Sequence, residues 1–374
     1  MEKKVVLAMS GGVDSAVAAY LLKEAGYYVI GVTFQIWDKY SIKENEKICC
    51  GYYGIRDAQI CAEKLKIPHY LIDLREKFNK LIVQDFINKY LSGFTPNPCV
   101  ECNRYIKFLA LLDFAKKVSA QYVATGHYAQ IIKIDNSYFL KRAKSKEDDQ
   151  TYFLYPLTEE ILEKTIFPLG EKSKKEVREI ALKLSLPVAE KKKSQETCFI
   201  PDKKYGDFIL KILREEGKNK LNKEGPIYLV ENGKISFLGT HKGIYQYTIG
   251  QRRGLRIPYK ERLYVLKIDK EKNTIYVGKK DLVYKKNFLL KKEVWKEIKD
   301  EIFLCQIRNV HRPSKIKIKN LKEDLLLCEF LVPQWAITPG QKAVFYDLTD
   351  EIVIGGGMIL EVLNNESDYS KTSN

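Results

Sequence analysis

The segment with the clearest chemical signal is Ser-Gly-Gly-Val-Asp-Ser at residues 10–15, between an apolar run and a helical pattern. Two glycines allow the backbone to approach an anion, and N–H groups at a helix start donate to phosphate oxygens. Asp14 would repel bare phosphate, so we expect it to act through Mg²⁺ or to hold the loop. No Gly-Lys-Ser/Thr follows, which excludes a Walker loop. The segment therefore predicts a nucleotide-binding loop rather than a plain glycine-rich turn.

Cysteine supplies the second signal. Cys99 and Cys102 form the only Cys-x-x-Cys, and Pro96 and Pro98 just before it predict a stiff loop that leads into a helix from about Asn103. A thiol near a helix start has its thiolate favoured, and the thiolate is the nucleophile. Cys198 follows a lysine run at 191–193. Two cysteines in basic loops fit persulfide transfer or reversible disulfide chemistry, although a single cysteine is more often a small buried residue.

The remaining cysteines give no such signal. Eight cysteines in 374 residues are too few for a disulfide scaffold, and a reducing cytoplasm is the compartment we expect. We expect ordinary buried positions for the five outside the loops, which are Cys49, Cys50, Cys61, Cys305 and Cys328.

Composition limits the class of protein. Hydrophobic residues make up 45% and charged residues 30%, which excludes a mainly disordered chain. No apolar run approaches the roughly 18 residues of a membrane span, and the short run after Met1-Glu2-Lys3-Lys4 does not predict a signal peptide. The net charge of +16 fits either a polyanionic partner or well-solvated lysine-rich faces. Oligomeric state cannot be read from these features, so a monomer is the default.

The order of elements predicts an α/β protein. Strand-like and helical patterns alternate through the first half, which indicates a parallel sheet covered on both faces. After Gly225 short strand patterns follow one another, and Asn232-Gly233 marks a hairpin. We predict a Rossmann-like domain at 1–204, a small central domain at 205–282, a C-terminal β-barrel at 283–363 and a polar tail at 364–374.

The loop at 10–15 resembles the pyrophosphatase loop of the adenine-nucleotide α-hydrolase-like enzymes. Those enzymes cleave ATP between the α and β phosphates and adenylate a carbonyl oxygen. This resemblance implies activation by AMP transfer and an N-terminal parallel sheet of that fold, but it does not identify the acceptor.

Further segments identify the acceptor by resemblance. The chain is similar over nearly its whole length to the tRNA-specific 2-thiouridylases of the MnmA type. The matching segments, in the family's order, are 10–15, Thr95-Pro96-Asn97-Pro98, Cys102-Asn103, 124–128, 149–154, Cys198-Phe199-Ile200, 247–254 and Thr338-Pro339-Gly340-Gln341. The chain departs from the family at Cys99, where many members carry aspartate, and at Arg308-Asn309-Val310-His311, where Arg-Tyr-Arg is usual.

The resemblance implies a reaction and a set of residues. The wobble uridine of a tRNA for Lys, Glu or Gln is adenylated at its C2 oxygen by Mg²⁺–ATP. Cys198 then delivers a persulfide sulfur from an upstream donor, and Cys102 is the nucleophile that releases it, by forming a disulfide with Cys198. The implied ATP-binding residues are Ala8, Met9, Ser10, Gly11, Gly12, Val13, Asp14, Ser15, Phe34 and Gly126. The implied tRNA contacts are His127, Asp149, Gln150, Thr151, Arg308, Asn309 and Gln341, with the basic charge of the chain facing RNA phosphates. The resemblance also implies that the central domain at 205–282 binds tRNA.

Three alternatives stay open. Cys99, Cys102 and Cys198 are three soft ligands that would suit a 4Fe–4S cluster with one open iron, in place of the persulfide. Another adenylating enzyme with the same loop, such as a lysidine or small-metabolite synthetase, would not need the two loop cysteines. A non-enzymatic RNA-binding protein would not need an intact phosphate loop.

Overall fold

A computed structural model describes residues 3–36, 52–191, 197–200, 204–218, 223–255, 257–296 and 301–363. The chain divides into two compact units, which we describe separately. Unit 1 comprises residues 1–83, 98–202 and 349–353, and unit 2 comprises residues 84–97, 203–348 and 354–374. None of the helices in the described ranges has the length and apolar character that crossing a bilayer requires.

The helices are α1 Val13–Glu24, α2 Tyr52–Lys64, α3 Arg75–Phe78, α4 Gln84–Leu91, α5 Pro98–Cys102, α6 Phe108–Lys117, α7 Thr151–Leu154, α8 Glu159–Glu163, α9 Lys174–Lys183 and α10 Tyr205–Glu215. The strands of unit 1 are β1 Lys4–Ala8, β2 Tyr28–Gln35, β3 His69–Asp73, β4 Tyr122–Thr125, β5 Ala129–Ile134, β6 Ser137–Arg142 and β7 Thr165–Ile166. Those that follow are β8 Gly225–Glu231, β9 Lys234–His241, β10 Tyr264–Asp269, β11 Thr274–Gly278, β12 Tyr284–Trp295, β13 Ile302–Gln306, β14 Ser314–Lys322, β15 Leu325–Trp335, β16 Lys342–Tyr346 and β17 Val353–Leu363.

Unit 1 contains a parallel sheet in the order β3-β2-β1-β4-β7. The central strand β1 is buried along its middle, as its run of valine and leucine predicts for a strand covered on both faces. The chain moves from β1 outward to β2 and β3 and then returns to the other side of β1 as β4. This reversal is a topological switch point, where the carboxyl ends of the strands leave a crevice for a ligand. The predicted Rossmann-like sheet is therefore confirmed.

Unit 2 contains two β structures. One is a four-stranded sheet in the order β10-β11-β8-β9, with its core on Ile227, Val265, Ile275 and Val277. The other is a closed barrel in the order β12-β15-β14-β13-β16-β17, which confirms the predicted C-terminal barrel. The Asn232-Gly233 turn joins β8 to β9, and both residues have positive φ, as a tight hairpin requires.

The structure differs from the expected elements at three places. Pro98 begins a helix rather than forbidding one, because proline lacks only an N–H that the first helical turn leaves without a partner. The hairpin of β5 and β6 and the two-residue strand β7 have no alternation strong enough to predict them. Residues 84–97 lie within the range predicted for the first domain and are grouped with unit 2 in the division of the chain, and the predicted domain bounds stay a prediction. The predicted tail at 364–374 lies outside the described residues.

Candidate active site

The glycine-rich loop lies at the switch point of the parallel sheet. β1 ends at Ala8, which pairs with Val32 of β2 and Thr125 of β4, so the segments after these strands emerge at one edge. Met9 continues toward β2 through its N–H, which donates to the Val32 carbonyl at 2.7 Å. Phe34 lies near the end of β2 and Gly126 directly follows β4. Phe34 and Gly126, which are among the residues predicted to bind ATP, thus lie at this edge of the sheet with the loop, and their contact with ATP stays a prediction.

The loop is shaped by its glycines and by Ser15. Gly11 has φ of +70°, and a Cβ there would lie 2.0 Å from the Gly54 carbonyl oxygen, so no other residue fits without a backbone shift. Gly12 caps α1, which begins at Val13. The Ser15 hydroxyl donates to the Gly12 carbonyl at 3.1 Å and accepts from the Ser10 N–H at 3.2 Å. Ser15, one of the residues predicted to bind ATP, makes both of these contacts within the loop, and the amides at the start of α1 are free of helical partners and suited to an anion.

Asp14 is held by two partners from distant parts of the chain. Its Oδ1 accepts a hydrogen bond from the Tyr128 hydroxyl at 2.8 Å, and its Oδ2 lies 3.0 Å from Lys174 Nζ. Burial and the Asp14 charge raise the pKa of Tyr128, so its hydroxyl stays protonated and donates. The Lys174 ammonium also lies 5.4 Å from the centre of the Tyr128 ring. These contacts hold the Asp14 carboxylate in place at the opening of the loop, and the Lys174 ammonium compensates its charge.

Gly126 is a position of close approach to this acid. A Cβ at residue 126 would lie 2.9 Å from the Asp14 carbonyl carbon and 2.9 Å from the Ser15 nitrogen. Only glycine lets the turn after β4 pack against the first turn of α1. Contact of Gly126 with ATP stays a prediction.

A second lysine reaches the loop from the segment before Cys198. Lys191 Nζ donates to the Gly11 carbonyl at 3.0 Å and forms an ion pair with Asp57 of α2. Together with Lys174 it gives the loop two ammonium groups near its opening. Phosphoryl transfer depends on such positive charge around the phosphates, because the transition state spreads negative charge over their oxygens.

Cys99 and Cys102 lie on α5 at spacing i, i+3, and therefore on one side of a helical turn. Cys99 is exposed and Cys102 is half-buried. Cys102 is the last residue of α5 and is followed by a π-helical turn at Asn103–Lys107, so it does not sit at a helix start. Desolvation raises the pKa of the Cys102 thiol, while the Lys107 ammonium acts in the opposite direction. Our expectation that the thiolate is favoured there is wrong for this arrangement.

Cys198 lies half-buried in a short turn in which the Ile200 N–H donates to the Thr197 carbonyl at 3.0 Å. The next residue, Phe199, packs its ring against Phe78 at 5.8 Å between centroids. No disulfide joins any of the six cysteines that the structure describes. Cys61, Cys305 and Cys328 are buried as predicted, and Cys49 and Cys50 lie outside the described residues.

The described residues bear on two metal centres, a 4Fe–4S cluster on the loop cysteines and Mg²⁺ at Asp14. Among them no three cysteine, histidine or carboxylate side chains come together as a metal site would need. Cys99, Cys102 and Cys198 are therefore not gathered as ligands of a 4Fe–4S cluster in this arrangement. Asp14 fits Mg²⁺ better, because Mg²⁺ needs only one or two carboxylates when a nucleotide supplies phosphate oxygens.

All three residues predicted to contact tRNA at 149–151 make hydrogen bonds inside unit 1. Asp149 accepts from Arg142 Nη1 at 2.7 Å and from the Ala143 N–H at 2.9 Å. It also accepts from the Thr151 hydroxyl at 2.6 Å, and Thr151 is fully buried. Gln150 is half-buried, and its side-chain oxygen accepts from the Tyr128 N–H at 3.0 Å. These contacts brace the turn that carries Tyr128, and tRNA contact at these positions stays a prediction.

His127 follows Gly126 and is held by a 2.7 Å hydrogen bond between its Nδ1 and the Thr125 hydroxyl. Its ring stacks on Phe108 at 6.2 Å and 21°. Burial and the Lys107 charge lower the pKa of His127 well below its usual range, so the ring is neutral at pH 7. A neutral ring next to Gly126 is suited to stacking or hydrogen bonding with a base rather than to pairing with phosphate.

The other predicted tRNA contacts lie in unit 2. Arg308 donates through Nη2 to the carbonyls of Ile249 at 3.2 Å and Ala336 at 2.8 Å, which makes it a brace between loops. Asn309 beside it is exposed. Gln341 donates through Nε2 to the Thr95 carbonyl at 2.9 Å and so holds the segment that leads to α5. Of the three, Asn309 has the side chain most open to a partner.

Sequence reasoning did not single out Tyr128, Lys174 or Lys191 as site residues. Lys174 stands directly after the capping residue Ser173, whose side chain accepts from the Glu176 N–H, and this motif predicts a helix start only. Its pairing with Asp14 joins residues 160 positions apart, which no local pattern reveals.

The fold and the loop define a three-part chain with a nucleotide-binding N-terminal domain, and family profiles match each part. Residues 3–202 match the tRNA methyl transferase HUP domain, residues 211–279 the tRNA methyl transferase PRC-barrel domain, and residues 281–359 the aminomethyltransferase β-barrel domain. The first match alone spans more than half of the chain.

Curated relatives then identify the family. A protein of Caldicellulosiruptor saccharolyticus named tRNA-specific 2-thiouridylase MnmA is 45% identical over 97% of this chain and 100% of its own length. A protein of Geotalea uraniireducens with the same name is 43% identical over 98% of both chains. The chain belongs to the tRNA-specific 2-thiouridylase (MnmA) family.

Solved structures are more distant. A 4-thiouridine synthetase in complex with RNA and bound ATP shares 17% identity with a TM-score of 0.34, and the alignment covers 58% of this chain and 53% of that one. A similarity this low supports no conclusion about function.

Proposed function

We propose that this protein performs ATP-dependent 2-thiolation of the wobble uridine in tRNAs of the Lys, Glu and Gln type. The observation that carries the proposal is the presence of the intact loop 10–15, Cys102 and Cys198 within one compact unit. The names of the 43–45% identical relatives support the same reaction. The enzyme would be a tRNA-uridine 2-sulfurtransferase that acts in the cytoplasm as a monomer.

The first step is activation of the base. A uridine carbonyl is a poor electrophile because its oxygen leaves badly. The C2 oxygen attacks the α phosphorus of ATP, pyrophosphate leaves, and the oxygen becomes part of an AMP leaving group. The amides at the start of α1 bind the phosphates, and Asp14 would hold the Mg²⁺ that accompanies them. Lys174 and Lys191 stabilise the charge that develops.

The second step is sulfur transfer. Cys198 carries a persulfide from an upstream donor, either a relay protein or a cysteine desulfurase. Its terminal sulfur attacks C2 and AMP leaves, so the base is joined to Cys198 through a disulfide. The Cys102 thiolate attacks the Cys198 sulfur, which releases 2-thiouridine and forms a Cys102–Cys198 disulfide. An external thiol then reduces this disulfide and takes up its two oxidising equivalents.

The raised pKa of Cys102 is consistent with this order. Cys102 must not attack the persulfide before the base is activated, and a thiol that remains protonated is a weak nucleophile. The Lys107 ammonium acts in the opposite direction and lowers the pKa of this thiol.

The test is a thiolation assay on an unmodified tRNA transcript with a wobble uridine, supplied with ATP and with a cysteine desulfurase and cysteine. We expect one AMP and one pyrophosphate for each 2-thiouridine formed, measured by mass spectrometry of the digested RNA. The Cys198→Ser variant should still release pyrophosphate but form no 2-thiouridine. Thiolation that persists in this variant would exclude Cys198 as the sulfur carrier.

Cys99→Ser is the matched control that separates the persulfide from the cluster. Cys99 lies one helical turn from Cys102 and has no part in the persulfide route, so the variant should retain thiolation. Loss of thiolation in Cys99→Ser, together with about four irons per chain in an anaerobic preparation, would favour the 4Fe–4S alternative.

Methyl transfer is a second candidate because two of the matched profiles carry that description. The assay distinguishes it directly. Incorporation of a methyl group from S-adenosylmethionine in place of sulfur, without release of pyrophosphate, would overturn the thiolation proposal.

A further inference from the structure

An aromatic row crosses the four-stranded sheet of unit 2 on the face opposite its core. Phe237 of β9 pairs with Tyr228 of β8, Tyr228 pairs with Tyr276 of β11, and Tyr276 pairs with Lys267 of β10. Side chains alternate between the faces of a sheet. Because the neighbours Ile227, Leu229, Ile275 and Val277 are buried in the core, the row points the other way.

The rings of this aromatic row are available at the surface. Phe237 is 62% exposed, and Ile235, two residues before it on the same face of β9, is also 62% exposed. Tyr228 and Tyr276 are half-buried and lie nearly parallel, at 6.1 Å and 26°. Phe237 and Tyr228 meet at 6.0 Å with an angle of 78°. Exposed apolar rings side by side on a sheet cost solvation free energy, which indicates a bound partner.

Charge identifies the class of partner. Residues 223–279 contain twelve lysines and arginines against five carboxylates, which gives +7 of the whole chain's +16. Lys267 at the end of the row is exposed, and so are Lys270 and Lys272 in the turn between β10 and β11. A surface that binds a protein would be mainly apolar or of mixed charge. Aromatic rings among cations fit unpaired nucleotides better, because the bases stack on the rings while the phosphates pair with lysine.

We propose that the aromatic row binds unpaired nucleotides of the tRNA by stacking bases on Phe237 and Tyr228. The inference rests on the proposed function for the identity of the RNA, but it concerns a surface remote in sequence from the loop and the cysteines. Its role is to hold the substrate and not to take part in the chemistry.

The experiment measures RNA binding by the full-length protein with two probes, a 12-nucleotide oligouridylate and a 12-base-pair RNA duplex. Phe237→Ala should weaken oligouridylate binding about tenfold and leave duplex binding unchanged, because bases in a duplex are not free to stack. Phe237→Tyr should bind like the parent, whereas Phe237→Leu, which keeps an apolar side chain without a ring, should bind like Phe237→Ala. Circular dichroism checks that the variants fold.

Salt dependence separates the row from its cationic end. Lys267→Met should reduce the slope of log affinity against log salt by about one, whereas Phe237→Ala should leave that slope unchanged. With the tRNA transcript, Phe237→Ala should raise KM about tenfold and leave kcat and pyrophosphate release per product unchanged. If the proposed function fails, the parent protein forms no 2-thiouridine. The binding assay needs no product, so it tests the aromatic row independently.

Three results would overturn the inference. Oligouridylate affinity that is unchanged in both Phe237→Ala and Tyr228→Ala would show that the rings do not contact RNA. Parent-like binding by Phe237→Leu would show an apolar contact rather than stacking. A change of sedimentation coefficient from dimer to monomer in Phe237→Ala, with RNA binding unchanged, would assign the row to contact between two copies of this chain.

Discussion

The carboxylate of Asp14 lies 3.0 Å from the Lys174 ammonium, although 160 residues separate them. Asp14 lies in the phosphate loop at the start of α1. Lys174 is the first residue of α9, much later in the sequence of unit 1. An acid at a phosphate site repels its ligand unless a cation accompanies it. Lys174 supplies that cation before any nucleotide arrives, and the Mg²⁺ that enters with ATP would compete with it for Asp14. The loop is thus prepared for a polyanion by a residue outside the recognised motif.

Lys174→Met should weaken ATP binding by about tenfold or more, corresponding to about 1.5 kcal/mol for a lost charged hydrogen bond. The substitution leaves the Asp14 charge uncompensated beside the incoming phosphates. Isothermal titration calorimetry with Mg²⁺–ATP measures the change. Lys175→Met is the matched control, because Lys175 is the next residue and is exposed. Equal affinities in the two variants would show that the Lys174 charge does not contribute to ATP binding.

Gly126→Ala should abolish ATP binding while the protein remains folded. The added methyl group would lie 2.9 Å from the backbone of Asp14 and Ser15, so the start of α1 or the turn after β4 must move. Gly239→Ala serves as the control, because no atom lies within 4 Å of a Cβ there. Calorimetry gives the affinity and circular dichroism the helix content. Parent-like ATP affinity in Gly126→Ala would mean that the loop tolerates this displacement.

Cys102 should react as a protonated thiol near neutral pH. Because its pKa is raised, the thiolate fraction is small at pH 7, and alkylation by iodoacetamide should accelerate about tenfold per pH unit up to pH 9. Lys107→Met removes the charge that favours the thiolate, so alkylation at pH 8 should be slower than in the parent. Mass spectrometry of the Cys102 peptide in a Cys99→Ser background measures both rates.

Lys117→Met is the control for this charge effect, because Lys117 is exposed at the end of α6. A plateau of the alkylation rate below pH 8 would contradict a raised pKa. It would restore the original expectation that the thiolate of Cys102 is favoured.

The parallel sheet and its loop could be predicted because each depends on local sequence. The apolar run of β1 and the following Ser-Gly-Gly-Val-Asp-Ser specify a buried strand and a helix start within a dozen residues. The partners of Asp14 could not be predicted, because Tyr128 and Lys174 are distant from it in sequence and only the fold brings them to it. The raised pKa of Cys102 also depends on the packing around α5 rather than on the nearby basic residues.

The predicted tRNA contacts show a second limit of the sequence, which is that it does not reveal the role of a polar residue. Asp149 lies in a segment that matches the family and Arg308 in one that departs from it. In both cases sequence alone cannot tell a side chain that faces a ligand from one that braces a loop. The structure shows that both make several hydrogen bonds within their own units. Pro98 shows a further ambiguity, because proline either ends an extended segment or begins a helix.

Arg142→Met should destabilise unit 1 by about 3 kcal/mol. Arg142 is buried and pairs with Asp149 at 2.7 Å and with Asp350 at 2.8 Å, so its loss leaves the buried Asp149 carboxylate without its charge partner. Lys146→Met is the control, because Lys146 pairs with the same Asp350 at 3.4 Å but its side chain is 59% exposed, and such pairs contribute about 0.5 kcal/mol. Hydrogen exchange of the β5–β6 hairpin and urea unfolding measure the two effects. If both variants unfold at the same urea concentration, Asp149 finds another partner, and the brace beneath Gln150 and Tyr128 does not depend on Arg142.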